Sequence, residues 1–138
     1  MRVLLDTCVI IPEPLRLTLF KLADNDLFFP LWSKKIIREW EFCASKGTNQ
    51  FVESTRIEIL LIQAKWKNSL VPCDANLEET LFLPDENDRH VLASAILGKA
   101  QILLTNNLRD FPARILAKYD IIPRSVDSFL LGFFQEFP

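Results

Sequence analysis

Four acidic residues stand at places where an α/β chain puts its chemistry. Asp6 closes the apolar run Val3-Leu4-Leu5, and Glu39 lies in the amphipathic segment Ser33 to Ala44. Asp88 opens another such segment, and Asp110 follows Ile102-Leu103-Leu104-Thr105. A strand buried in a parallel sheet is apolar along its length, so a carboxylate at its carboxyl end lies on the rim where open α/β sheets bind ligands. Carboxylates gathered on that rim are hard oxygen donors suited to Mg²⁺ or Mn²⁺, and those ions suit phosphate chemistry.

Each acid has a plainer role to set beside the chemical one. Asp6 and Thr7 equally suit a cap for a helix near Pro12 to Pro14. Capping does not require an aspartate directly after three buried aliphatics, however, and the desolvation cost there calls for a compensating partner. In the segment Ser33 to Ala44, Ser33 reads as the N-cap and Ile36, Trp40 and Cys43 as the apolar stripe. Glu39 borders that stripe and leans inward, while Glu41 leans outward; the alternative is a solvated Glu39 paired with Lys35.

In Pro84-Asp85-Glu86-Asn87-Asp88, acids in a first helical turn are favoured by the macrodipole whatever else they do. Asp88 precedes Val91, Leu92, Ala95 and Ile96 on their own face and points to the core edge. Asp85 is a cap, a supporting group or an extra ligand, and Glu86 projects into solvent. Thr105 and Asn107 make turns by default, or orient water and ligands beside Asp110. His90, the single histidine, reads as structural.

The elements that must position these groups alternate. Val3 to Leu5, Leu27 to Phe29, Leu70 to Val71, Ile102 to Leu104 and Ile121 to Ile122 have strand character, with helical periods between them. Right-handed crossovers then give a mainly parallel α/β sheet with helices on both faces and the strand ends gathered at one edge. Prolines 12, 14, 30, 72, 84, 112 and 123 mark element boundaries. With 138 residues, 49% hydrophobic, the chain supports one core and is expected to form a single domain over 1–138.

Composition narrows the function further. No signal-like stretch precedes Asp6 and no run approaches a membrane span, so a soluble cytoplasmic protein is expected. Cys8, Cys43 and Cys73 are scattered without a Cys-x-x-Cys pair, against a disulfide scaffold or a zinc site. The net charge of −2 argues against a general nucleic-acid coat but not against a nuclease whose acids hold metal. Local basic sets are Lys34, Lys35 and Arg38, and Arg89, Arg109 and Arg114; ordinary solvated helix charge accounts for them equally well.

The ordered motifs carry a resemblance. Leu4-Leu5-Asp6-Thr7-Cys8, Ser33 with Glu39, Asp88-Arg89-His90-Val91-Leu92-Ala93-Ser94-Ala95, and Leu104-Thr105-Asn106-Asn107-Leu108-Arg109-Asp110-Phe111-Pro112 resemble a PIN domain. The likeness covers almost the whole chain and is closest to bacterial VapC-like toxin components. It implies a three-layer α/β/α sandwich and a metal-dependent endoribonuclease. Asp6 and Asp88 match the metal ligands, Glu39 the second acid and Asp110 the last, with Mg²⁺ or Mn²⁺ as cofactor. Thr7, Thr105, Asn107 and Asp85 are supporting residues. Cys8 replaces the usual Asn or Ser of the first motif, and Asn107 stands where many relatives have a further aspartate.

The implied substrate is single-stranded or looped RNA, and the implied partners are an antitoxin protein or a second copy of the chain. The alternatives are a non-catalytic PIN-like module that binds RNA or protein, and a phosphatase-like enzyme using the same acids. In the last segment, Ser125 or Asp127 caps a helix from which Phe133, Phe134 and Phe137 cannot all face inward, leaving apolar surface for a partner.

Overall fold

The computed structural model describes residues 1–136. Five parallel strands form the sheet: β1 (Arg2–Leu5), β2 (Phe29–Ser33), β3 (Leu70–Val71), β4 (Ile102–Leu104) and β5 (Ile122–Arg124), in the order β3-β2-β1-β4-β5. The helices are α1 (Thr7–Ile10), α2 (Glu13–Asp24), α3 (Lys34–Ala44), α4 (Asn49–Lys65), α5 (Ala75–Thr80), α6 (Arg89–Leu97), α7 (Ala113–Leu116) and α8 (Val126–Glu136). The chain moves outward in one direction from β1 to β3, then returns to place β4 beside β1 and moves the other way. With right-handed crossovers this reversal sends α1 to α4 to one face and α5 to α7 to the other. The result is the expected α/β/α sandwich.

The central strands are sealed by their own composition. Val3, Leu4, Leu5, Leu31, Leu103 and Leu104 are essentially inaccessible, and each buried aliphatic of this size contributes about 1.5–3 kcal/mol. Register is tight: Val3 lies opposite both Pro30 and Ile102, and Leu4 opposite Leu31 and Leu103. Gly98 lets the end of α6 approach the sheet, because a Cβ there would meet Val71 and Leu31 at 2.9 and 3.0 Å.

Several local expectations need correction. The strand placed at Leu27 to Phe29 runs instead from Phe29 to Ser33, and that at Ile121 to Ile122 extends to Arg124. Pro30 and Pro123 lie inside strands rather than at boundaries. The Phe29 amide donates to Met1 O on the β1 side and the Trp32 amide to Ser69 O on the β3 side. Pro30 shares the parity of Trp32, and β3 begins pairing only at Trp32, so the missing N–H faces no acceptor strand. Pro123 sits on an edge strand whose neighbour Ile122 supplies the bond to β4.

In α3 the buried stripe is Ile36, Ile37, Trp40 and Ala44; Cys43 is exposed. The 3.6-residue turn carries position 43 past the edge that position 44 occupies. Ser33 caps α3 through its hydroxyl, which accepts from the Ile36 amide at 3.2 Å. Asp6 caps α1, which starts directly after it, rather than a helix at Pro12 to Pro14. Ser125 caps α8 by accepting from Ser128 N, and Phe129 of that helix is buried against Phe28 and Phe133. The expectation for Phe137, and for the Phe134 side chain, lies outside what is described. Among the described residues no helix is long and apolar enough to cross a membrane.

Candidate active site

The strand order reverses between β1 and β4, and the crevice at such a switch point is where open α/β sheets bind ligands. Asp6 and Thr105 are the first residues beyond these two strands. The two strand ends are stitched together twice: the Asp6 amide donates to Leu104 O at 3.0 Å, and the Thr105 hydroxyl donates to Asp6 Oδ2 at 2.8 Å. The other oxygen, Oδ1, accepts from the Thr7 amide at 2.8 Å. Asp6 is therefore buried and held from both sides, serving as a helix cap and as a carboxylate at the sheet rim at once.

Cys8 extends this seam. Its thiol lies 3.4 Å from Asp6 Oδ2 and 3.5 Å from the Thr105 hydroxyl, and its sulfur accepts from the Asn106 amide at 3.4 Å. Burial, followed by the charge of Asp6, pushes the thiol pKa above its ordinary value, so Cys8 acts here as a neutral donor. The Thr105 hydroxyl also accepts from the Asn107 amide at 3.0 Å, and the Asn107 side chain donates to Asp110 Oδ2. Asn107 thus aims Asp110, a role a second aspartate could not fill.

Glu39 reaches the crevice from α3 and is clamped on both oxygens. Thr7 Oγ1 donates to Oε2 at 2.6 Å, and His90 Nε2 lies 3.1 Å from Oε1. These contacts displace the pairing with Lys35 that its helical spacing allowed. His90, set aside as structural, is buried and touches a site acid. Burial first lowers its pKa, against the pull of Glu39, so the neutral ring donates through Nε2. Its Nδ1 has no protein partner. The available signal was spacing: His90 lies two residues beyond Asp88, at the start of the helix beneath β1, β2 and β4.

Among the described residues, Asp85, Asp88 and Asp110 converge, each offering an oxygen within 4.8 Å of the others; Asp6 and Glu39 stand outside this group. Asp85 accepts from the Asn87 amide at 2.9 Å and caps a short 3₁₀ turn, whereas Asp88 precedes α6 without capping it. Glu86 is exposed and pairs with Arg89 at 3.3 Å. Asp88 Oδ2 is buried and has no hydrogen-bond partner among the described residues. Burial pushes the Asp88 pKa up to about 6, and the charges of Asp85, Asp6, Asp110 and Glu39 add to the effect in that order. All four sequence-predicted acids, with Asp85, therefore share one electrostatic field.

A divalent cation fits this arrangement. The donors are hard carboxylate oxygens, they converge, and one of them is buried without a partner, which is costly unless a cation or proton satisfies it. The raised pKa has a measurable consequence for the metal-free protein. Between the ordinary value of 3.8 and about 6, the folded state keeps a proton that the unfolded state has released. The Asp88 contribution to stability is thus full below 3.8 and lost as pH rises through 6. Thermal melts in chelator should show Asp88→Asn gaining on wild type as pH goes from 4 to 7. A constant difference across that range would mean Asp88 is not strained.

Comparisons with known proteins bear on the family and the fold. A family model described as PIN domain matches residues 2–109. A segment of 44 residues is 46% identical to the Mycobacterium tuberculosis protein named "Putative ribonuclease VapC50", covering 32% of this chain and 26% of that protein. The match thus spans about a quarter of that relative's length. The fold resembles a chain in the crystal structure of VapBC2 from Rickettsia felis bound to a DNA fragment from their promoter. There the TM-score is 0.61 at 20% identity, over 91% of this chain and 98% of the other.

Proposed function

Because this chain belongs to the PIN-domain family, we propose that it is a Mg²⁺- or Mn²⁺-dependent endoribonuclease and the toxin component of a toxin-antitoxin pair. The observation that carries this reading is the buried, unpartnered Asp88 oxygen inside a converging set of carboxylates. Asp6 and Asp88 are the proposed ligands, with Asp110 and Asp85 close enough to Asp88 to join it. A bound divalent ion would supply charge for a phosphoryl oxygen and make water more acidic.

The chain's own residues do the rest. Glu39, clamped by Thr7 and His90, keeps a fixed carboxylate with lone pairs free to orient a water and take its proton. Asp110, aimed by Asn107, is the second group able to position that water. Thr105 and Cys8 hold Asp6 in place, so the Cys8 and Asn107 departures still leave a joined network. Attack of water on the phosphorus breaks one P–O ester bond, leaving a phosphate monoester and a hydroxyl. Single-stranded or looped RNA is the proposed substrate, since its phosphates reach a recessed site more readily than those of a duplex. Such a substrate places the protein in the cytoplasm.

Beside the surface expected on α8, α4 offers a face for a partner. On α4, Ile57, Leu60 and Leu61 are exposed, next to a groove lined by Leu17, Phe20, Ile62 and Trp66. An unpartnered apolar face of this kind suits an amphipathic helix of an antitoxin. The relatives' names and the VapBC2 likeness support the pairing.

The deciding experiment is incubation of a mixed single-stranded RNA pool with the protein and Mg²⁺ or Mn²⁺. Chelator and a generic phosphomonoester serve as controls. Metal-dependent cutting of RNA with no turnover of the monoester is expected. Turnover of the monoester alone would favour a phosphatase-like enzyme, and a folded protein that neither binds metal nor cuts RNA would be a binding module.

A further inference from the structure

We infer that the exposed face of α3 bearing Lys35, Arg38 and Phe42, with Lys46 in the turn that follows, is a track for single-stranded RNA, with Phe42 as its base-stacking platform. The substrate class rests on the nuclease reading above; the track itself rests on how α3 is built. Positions 35, 38 and 42 recur at intervals of three and four and share one helix face, opposite the buried Ile36, Ile37, Trp40 and Ala44, and Lys46 follows in the turn after the helix. Phe42 is 63% exposed, and the Lys46 ammonium lies 4.7 Å from its ring centroid. Lys35 and Arg38 are exposed, and among the described residues neither takes part in an ion pair.

This face opens onto the acids. Thr7, Lys35, Arg38, Glu39, Phe42 and Cys43 line a shallow hollow of about 340 Å³, and Thr7 and Glu39 are the hydrogen-bonded pair at the site. Phe42 stands three residues beyond Glu39, about 5 Å along the helix axis. A strand with a phosphate at the carboxylates would thus pass Lys35 and Arg38 and bring a neighbouring base onto the Phe42 ring. Cations that track the backbone and an aromatic that takes a base are what single-strand binding needs, and stacking requires a base whose face is free. A protein-docking patch would be contiguously apolar, whereas this face has one aromatic among three cations. In a chain of net charge −2, such local clustering is what draws phosphate.

The test uses the full chain carrying Asp88→Asn, so that RNA is bound without being cut, and a short fluorescein-labelled single-stranded RNA containing 2-aminopurine. Phe42→Ala should weaken binding by about 5- to 150-fold and abolish the 2-aminopurine quench, while Phe42→Trp restores both. Lys35→Ala and Arg38→Ala should each lower the slope of log affinity against log salt by about 0.7. Thermal melts report whether each variant is folded. RNA bound with unchanged affinity and quench by folded Phe42→Ala would overturn the track, as would the absence of any RNA binding. So would light scattering in which Phe42→Ala dissolves a dimer without affecting RNA. Cleavage by wild type, measured separately, decides the nuclease reading: cutting that ignores Phe42 defeats the track alone, and Phe42-dependent binding without cutting defeats the nuclease alone.

Discussion

Asp88→Asn should reduce metal-dependent RNA cleavage by about 10²–10³-fold or more while leaving the fold intact, because it removes charge from the centre of the acidic group. The stability side of the same substitution runs the opposite way. Asp88 is partly buried among like charges and its buried Oδ2 has no hydrogen-bond partner among the described residues, so its ionised form is penalised in the metal-free site. Asparagine keeps the shape and removes the charge, and in chelator at neutral pH the variant should melt a few degrees above wild type. Divalent ion should then raise the melting temperature of wild type and do much less for the variant. At a concentration about 100 times Kd, that stabilisation is about 2.7 kcal/mol. An inactive variant that is destabilised, or a wild type indifferent to Mg²⁺ and Mn²⁺, would sink the assignment of Asp88 as the central ligand.

The largest loss of stability is expected at Arg16, which is buried in α2. Its Nε and Nη2 form a fork onto Glu58 of α4 at 2.6 and 3.0 Å, and its Nη1 donates to Ile10 O at 2.9 Å and Ile11 O at 2.6 Å. Its guanidinium also lies over the Trp40 ring of α3 at 4.6 Å. One side chain thus ties together α2, α3, α4 and the end of α1, the helix that Asp6 begins. Arg16→Met strands the Glu58 carboxylate and two carbonyls, a defect of about 3–5 kcal/mol. At about 2–4 °C per kcal/mol or somewhat more for a chain of this size, the melting temperature falls by roughly 10–20 °C. Arg16→Lys should fall between, since it keeps the charge and loses the fork. Denaturant unfolding gives the check, and a loss under about 1 kcal/mol for Arg16→Met would mean the fork is solvated in solution.

The sequence by itself carried the central strands and the position of Asp6 and Thr105 directly beyond two of them. Val3 to Leu5 and Ile102 to Leu104 are short, wholly apolar and followed by polar turns, a combination that only buried parallel strands with functional rims account for. The same local logic placed Ser33 as the cap of α3 and Glu39 on its inner border. It failed where the answer depended on a neighbour distant in sequence. Pro30 could enter β2 because β3 begins pairing only two residues later, at Trp32, and so does not miss its N–H. Cys43 fell outside the core because α4 packs on Ala44's side of the helix.

The site's internal wiring was likewise decided by tertiary structure. Thr7 with Glu39, His90 with Glu39 and Asp6 with Thr105 are separated by 32, 51 and 99 residues, and only the meeting of α1 with α3, of α3 with α6 and of β1 with β4 brings them together. Periodicity reports which face of an element is apolar; it holds no information about which polar atoms two elements present to each other. That is why a lone histidine read as structural, and a serviceable arginine read as nothing at all, became a clamp on an acid and the tie between four helices.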